Sequence, residues 1–406
     1  MFVLSVVIVA QLGARMNYAV PRLLYRKRLL ARLYTDLYAT PLLKGLLGLL
    51  PVSSRPEQTR RLLTRVADEI PPGLVTVFWP FGCQYTARLR RARNNSDLTA
   101  AHLWAGRRFC ELIAERGFGE AKAVYAFNGA ALELLRKAKE KGLAAIVEQT
   151  IAPRRKEEEL LANRFPAWED ASRNSCSVAD FQKREELEWE TADLIVCGSD
   201  FVREGIRECG GAVDKCVVVP YGVDEGFLQL PRSINKRDGR LRVLTVGAVG
   251  IRKGSPYVVE AARAAAGFAD FRMIGPWLFP RHLKSELGEA VELLGPVPRN
   301  ELAPHYSWAD VFLLPSICEG SATVTYEALR AGLPVICTPN TGSLVREGID
   351  GFIVPVGDVD TIVRLLRVLA ADRDCLARLQ SNAAAREDVT LAAYGERLYR
   401  ALSVVL

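Results

Sequence analysis

Residues 311–343 read VFLLPSICEGSATVTYEALRAGLPVICTPNTGS. The stretch opens on a continuous apolar run, VFLLPS, which suits a strand covered on both faces. An acid, Glu319, ends that run, and small or hydroxyl residues follow: Gly320, Ser321, Ala322 and Thr323. A helical pattern then carries a second acid, Glu327, eight positions after the first. Another apolar run, PVICTP, and a small-residue turn, Thr341 to Ser343, complete the unit. Strand, turn, helix and strand make up the repeating element of an open parallel sheet, and such sheets hold ligands beyond the carboxyl ends of their strands. Glu319 therefore falls at the rim of a crevice. Small residues let backbone approach a ligand there, and the first N–H groups of the helix suit an oxyanion. Glu327 lies about one turn into the helix, roughly 5 Å from its start. A carboxylate at that point accepts two hydroxyl hydrogen bonds, as vicinal sugar hydroxyls require. The plain alternative is a helix N-terminal acid balancing the dipole, with Glu319 a solvated loop acid. Spacing alone leaves the two readings even; the strand–turn–helix context favours the first.

The same alternation runs along most of the chain. FVLSVVIVA, VTVFWP, AVYAF, LAAIVEQ, LIVCGS and CVVVPYG form one series of strand candidates. LRVLTVGAVG, FRMIGP, VELLG, VFLLPS, PVICTP and GFIVP form a second. Helical stretches such as GAALELLRKAKEKG separate them, with apolar residues every three or four positions. Between residues 225 and 240 the chain turns polar and charged, with Pro and Gly, as a linker would. The expected fold class is α/β, with two parallel-sheet units facing across a cleft. With 406 residues, two units are also the natural expectation from length.

Composition narrows the function further. Hydrophobic residues make up 49% and charged residues 25%, which excludes a disordered chain. Nine scattered cysteines show no C-x-x-C spacing, and His102, His282 and His305 form no ligand set, so no metal centre is expected. Reduced cysteines in apolar runs fit a cytoplasmic location. The opening apolar run lacks a basic leader and stops after about ten residues, half the roughly 20 that a membrane span needs. It reads as a first strand. The net charge of +7 is placed in residues 1–70, where eleven Lys or Arg face four Asp or Glu. The leucine-rich basic stretch 21–50 reads slightly better as core helices with a solvated basic face than as a helix on an anionic membrane surface. No nucleic-acid motif accompanies the charge, and nucleic acid is not an expected partner.

VGAVGIRKGSPYVVEAAR, residues 246–263, supplies the cations. Arg252 and Lys253 stand between a strand and a helix N-terminus, where side-chain charge and free N–H groups add for an anion such as a diphosphate. By itself this is an ordinary basic turn, neither a Walker loop nor a dinucleotide fingerprint.

Taken together and in order, these segments resemble family 4 of the retaining glycosyltransferases, enzymes of GT-B fold. The resemblance runs from about residue 193, through ADLIVCGSDFVREGI, VVVPYGVDEGF, VGAVGIRKG and the opening stretch, to DGFIVPVGD and about residue 370. The first 190 residues match only loosely. The resemblance implies an acceptor-binding unit over 1–225, a nucleotide-sugar-binding unit over 226–385 and a terminal helix over 386–406 that crosses back to the first unit. It implies that Lys253 and Arg252 hold the donor diphosphate and that Glu319 contacts the transferred sugar, helped by backbone at Gly320, Ser321, Ala322 and Thr323. Glu327 would bind the ribose, Val297 would meet the base, and Gly13 would form the N-terminal side of the diphosphate pocket. Two positions depart from the family. Ala248 replaces a frequent arginine, and Gln149 stands where many relatives have a histidine near the sugar. Gln149 and its neighbour Glu148 are the candidate acceptor or sugar contacts. The implied activity is transfer of a sugar from a nucleoside diphosphate to a carbohydrate or lipid-linked acceptor, with no cofactor and no metal. A GT-B epimerase or hydrolase and a non-catalytic sugar-nucleotide-binding protein remain as alternatives.

Overall fold

The computed structural model describes residues 6–40, 43–45, 57–162, 164–165, 176–224, 239–280 and 283–406. The expected linker over 225–240 lies largely outside them, as do His282 and part of the basic stretch 21–50. Seven parallel strands form the first sheet: β1 Val7–Ala10, β2 Leu30–Thr35, β3 Val75–Val77, β4 Ala123–Phe127, β5 Ala144–Gln149, β6 Leu194–Cys197 and β7 Cys216–Val218. Their order is β3-β2-β1-β4-β5-β6-β7. Six more form the second: β8 Leu241–Val246, β9 Ala269–Ile274, β10 Glu292–Gly295, β11 Val311–Leu314, β12 Val335–Cys337 and β13 Gly351–Ile353, in the order β10-β9-β8-β11-β12-β13. All pairings within the two sheets are parallel, and the central strands are buried from end to end. That is why they read as unbroken apolar runs rather than alternating ones.

One strand corrects the sequence reading. Residues 30–35, LARLYT, were expected in core helices; they form β2, second from the edge of the first sheet. Leu30 and Leu33 are buried, Tyr34 stacks on Phe78, and Arg32 is satisfied by Thr76 on the neighbouring strand. Leucine and arginine favour helices on propensity, but tertiary pairing overrides that preference.

Each sheet reverses its strand order at one place, between β1 and β4 in the first and between β8 and β11 in the second. Loops leaving the carboxyl ends of strands on either side of such a reversal splay apart and leave a crevice. The carboxyl edges of the two sheets face each other. The Ser199 hydroxyl, beyond β6, donates to the Gly320 carbonyl, and the Ala152 N–H, beyond β5, donates to the Glu319 carbonyl. The helix Leu391–Leu402 follows the second sheet in the chain but packs on the first unit. Leu391 and Val389 pair with Val223, Arg397 donates to the Pro220 carbonyl, and the Tyr399 hydroxyl donates to the Leu23 carbonyl at 2.5 Å.

Candidate functional site

The loops after β8 and β11, on either side of the second reversal, hold the charged residues picked from the sequence. After β8 the chain makes a short 3-10 turn, Ile251–Lys253, and enters the helix Ser255–Ala264. Gly254 joins them with φ +70, and a Cβ there would lie 1.9 Å from the Pro315 carbonyl oxygen. Only glycine meets both conditions. Pro315 and Ser316 follow β11, so this close approach locks the cationic turn against the acidic loop. The Arg252 carbonyl completes the lock by accepting from the Ile317 N–H at 2.9 Å.

The result is a triad of charges. The Arg252 Nη1 and the Lys253 Nζ each stand 2.9 Å from the same Glu319 oxygen, Oε1. Neither approaches it along a good hydrogen-bond direction. Burial works against the Arg252 charge, but Glu319 and Glu157 outweigh it and hold the guanidinium proton more tightly than usual. Glu157, on the helix Arg154–Leu161 of the first unit, lies 3.9 Å from Arg252. One buried acid thus neutralises two cations, with a further acid at the border.

The helix Thr323–Arg330 begins beside this triad with Ala322 at its cap position, and no side chain caps it. Thr323 and Val324 are half-buried, and their N–H groups are among the orphan donors of a first turn. Glu327, inside that helix and 1% exposed, is gripped on both oxygens. The Tyr306 hydroxyl donates to Oε2 at 2.8 Å, and the Arg299 Nη1 stands 2.7 Å from Oε1. Burial pushes its carboxyl above the ordinary range, against the pull of Arg299 and Tyr306. Val297 is half-buried two residues before Arg299, in the apolar cluster that includes Leu302 and Tyr306.

The small residues between the acids meet the first unit rather than an open space. A Cβ on Gly320 would lie 2.1 Å from the Thr150 carbonyl oxygen. The Ser321 hydroxyl sits 2.6 Å from the Tyr326 hydroxyl and accepts from the Tyr221 N–H at 3.3 Å. The Ala322 N–H donates to the Thr341 carbonyl. Gly13 turns the chain after β1 with φ +71; its N–H donates to Asp36, and a Cβ there would meet open space.

Glu148 and Gln149 end β5 below the surface, at 1% and 0% exposure. Glu148 accepts from the Tyr125 and Tyr221 hydroxyls, with Arg15 at 3.8 Å. Burial raises its pKa against those partners. The Gln149 amide donates to Glu185 and to the Ile151 carbonyl and accepts from the Trp189 indole. Neither side chain is open to a ligand in this arrangement. The helix Cys176–Thr191, which supplies Glu185 and Trp189, closes off Gln149, while Tyr125, Tyr221 and Arg15 enclose Glu148. In their place Arg15 reaches the junction, donating to the Thr150 carbonyl at 3.2 Å and to the Tyr221 hydroxyl at 2.9 Å. Its loop is strained: Met16, Asn17 and Tyr18 are three successive non-glycine residues with positive φ.

Arg15, Glu157 and Arg299 were not picked from the sequence. Arg299 had a signal, two positions after Val297 in the loop expected to border the base. Arg15 and Glu157 had none, because the chain brings them in from 135 to 206 residues away or across the cleft.

Residues 240–372, the part that carries the whole triad, match the family model described as Glycosyl transferases group 1. The likeness to that family lies in the second half of the chain. A putative colanic acid biosynthesis glycosyltransferase, WcaL of Salmonella typhimurium, is 31% identical over 211 residues, 47% of this chain and 51% of that protein. The amylovoran biosynthesis glycosyltransferase AmsK of Erwinia amylovora is 30% identical over 142 residues, 31% of this chain and 35% of that protein. The chain spans about half the length, or less, of these curated relatives. In fold the likeness runs nearly the whole length of the chain: the Anabaena protein HepE, solved with UDP and glucose, superposes with a TM-score of 0.63 at 16% identity, covering 98% of this chain and 99% of that one. WaaG, a glycosyltransferase involved in lipopolysaccharide biosynthesis, gives 0.62 at 15% identity, covering 98% and 99%. The matched region therefore sits in a GT-B fold of two Rossmann-like units.

Proposed function

We propose that the chain is a retaining glycosyltransferase that moves a sugar from a nucleoside-diphosphate donor to an acceptor hydroxyl, in polysaccharide or glycolipid synthesis. The observation that carries this reading is the meeting of Arg252 and Lys253 on one buried acid, Glu319, beside an uncapped helix N-terminus. The donor's diphosphate takes over both cations and the free N–H groups, and Glu319, released, accepts hydroxyls of the sugar. Glu327 does the same for the ribose, with Arg299 moving aside, and Val297 lines the base. The bond from the anomeric carbon to the phosphate oxygen breaks as the acceptor oxygen attacks from the same face. The acceptor proton passes to the departing phosphate. Charge grows on that phosphate, and fixed cations in a water-poor crevice stabilise it there; one such donor is typically worth about 3 kcal/mol of barrier. On this reading the positive charge comes from side chains and N–H groups, and no metal or cofactor is needed.

The relatives' roles in colanic acid and amylovoran biosynthesis support a carbohydrate or lipid-linked acceptor. The eight cysteines whose side chains are described are all free, which supports a cytoplasmic location. Among the described residues no helix is long and apolar enough to cross a membrane; the proposed contact with an anionic membrane is peripheral.

A panel of UDP-, GDP- and ADP-sugars tests the reading, first by thermal shift and then by transfer to saccharide acceptors. Lys253→Ala and Glu319→Ala should lose transfer and keep the fold. Full turnover in either variant would refute the assignment. Consumption of donor without acceptor would instead indicate the epimerase or hydrolase.

A further inference from the structure

A basic helical hairpin stands apart from the donor machinery. The helices Trp79–Arg91 and Asn95–Arg116 run antiparallel through Phe81 against Trp104 and Phe109, and Tyr85 against His102. Two glycines mark where they leave the body of the first unit. A Cβ on Gly82 would lie 2.7 Å from the Asp36 carbonyl oxygen, beyond β2, and one on Gly106 would lie 2.0 Å from that of Gly129, beyond β4. Both loops are at carboxyl ends of strands. From those points the two helices continue for nine and eleven residues, about 14 and 16 Å at the helical rise. The hairpin therefore projects past the carboxyl edge of the first sheet, the edge that faces the donor loops. On the projecting part, burial lowers the His102 pKa, and the positive charge of Arg154 adds to that effect. Arg154 pairs with Glu157, which borders Arg252.

The tip is positively charged and its cations are unspent. Residues 84–102 contain Arg88, Arg90, Arg91 and Arg93 against a single acid, Asp97. Every other arginine named so far in the crevice stands within 4 Å of a carboxylate; among the described residues these four have none. Asp97 is occupied by the turn, its Oδ2 accepting from the Arg93 N–H at 2.9 Å. Between the helices lies an open cavity of about 580 Å³, with Gln84, Arg88, Arg91 and the turn-bound Asp97 on its polar side and Ala87, Ala92, Ala100 and Ala101 as its floor. That volume falls within the range of small-molecule sites. The Arg88 guanidinium stacks 4.1 Å above the Trp104 ring, which fixes its plane.

We propose that this hairpin is a phosphate-binding subsite for the acceptor. Arg88, Arg91 and Gln84 hold a phosphate or diphosphate on the acceptor while its hydroxyl reaches the donor sugar in the crevice. This rests on the glycosyl-transfer reading and adds to it the acceptor's chemical class: a phosphorylated or diphosphate-linked saccharide. Paired guanidinium forks match phosphate geometry, and the alanine floor leaves room for it. A bilayer surface is the weaker fit. Docking there calls for exposed apolar anchors beside the cations, and Leu98, at 36% exposure, is the one large hydrophobic residue exposed on the described hairpin.

The test uses the full chain with the donor cations removed, Arg252→Ala/Lys253→Ala, so that the crevice no longer competes. Inorganic pyrophosphate, titrated by calorimetry at low ionic strength, should still bind. Adding Arg88→Gln/Arg91→Gln should weaken it by about tenfold or more, and Arg88→Lys/Arg91→Lys should restore part of the loss. No binding in the first background, or binding indifferent to residues 88 and 91, overturns the proposal. So does sedimentation with equimolar phosphatidylcholine–phosphatidylglycerol vesicles that depends on these arginines when pyrophosphate does not bind, which would make the hairpin a membrane contact. UDP, GDP and ADP titrated in turn into the unaltered chain separate the two levels. Binding of none of the three overturns the transfer reading and the acceptor role with it; nucleotide binding without a pyrophosphate response overturns the hairpin subsite alone.

Discussion

Gly320→Ala isolates the junction between the two units. Gly320 does not have a positive φ, so alanine costs no backbone strain, and the whole effect comes from one methyl group. That methyl would lie 2.1 Å from the Thr150 carbonyl oxygen and 2.8 Å from the Ile151 Cα. Contact distance is longer by about 1 Å or more, and both obstacles are backbone, so the loops after β5 and β11 must separate by about that much. The stability cost should be modest, about 1–3 kcal/mol, as for other overpacked sites. The catalytic cost should be larger. A misplacement of about 1 Å between reacting groups is worth on the order of a hundredfold in rate. Nucleotide binding, by contrast, rests mostly on the second unit, with Gly13 only at its border, and should change by no more than about threefold, or about 0.7 kcal/mol. Calorimetry with UDP and a transfer assay on one preparation give both numbers. Turnover within a factor of a few of the unaltered protein would refute the claim that the Gly320 contact sets the working distance. A loss of UDP affinity as large as the loss of turnover would refute it too, by showing that the donor site itself had moved.

Other perturbations address other parts. Glu327→Gln keeps the Tyr306 contact but removes the charge facing Arg299 and the ribose. UDP affinity should fall about tenfold, since hydrogen bonds to charged groups are worth about 1.5–3 kcal/mol; unchanged affinity would detach Glu327 from nucleotide binding. Glu188 accepts from the N–H groups of Gly129, Ala131 and Leu132, yet burial raises its carboxyl to about 7 from 4.5. A raised acid favours the folded state below its unfolded pKa and loses that advantage as pH rises through the folded value. The stability difference between the protein and its Glu188→Gln variant should therefore shrink by about 3 kcal/mol from pH 4.5 to 7, as followed by urea unfolding. A difference that grows with pH would mean that Arg184, 3.3 Å from the Glu188 carboxylate, and the N–H groups outweigh burial. Tyr399→Phe removes the bond to the Leu23 carbonyl and should lower stability by about 1 kcal/mol with no change in UDP affinity.

The second unit was legible because its chemistry is local. β8 and β11 are unbroken apolar runs, and each is followed within seven residues by the group that matters, Arg252 or Glu319. Strand order then does the rest, since the reversal lies between those two strands. The first unit was harder for identifiable reasons. β2 hides in a leucine–arginine stretch whose propensity points to helix. Gln149 and Glu148 stand at a strand end, as a crevice residue should, but the helix Cys176–Thr191 uses up the hydrogen bonds of Gln149, and Tyr125 and Tyr221 those of Glu148, which no local pattern announces. The mutual neutralisation of Glu319 by both cations was likewise invisible, because charges 66 and 67 positions apart meet only through the sheet.

The helix Leu391–Leu402 has a consequence for how the chain is made. It covers Leu23 and Tyr221, and Tyr394 packs edge-on against Tyr221. On the ribosome, the older half of the molecule therefore waits, with one apolar flank bare, until nearly four hundred amino acids have been joined. Anything that halts synthesis before that point releases a first unit with a sticky, unsealed side, which a chaperone or protease would meet before any substrate does.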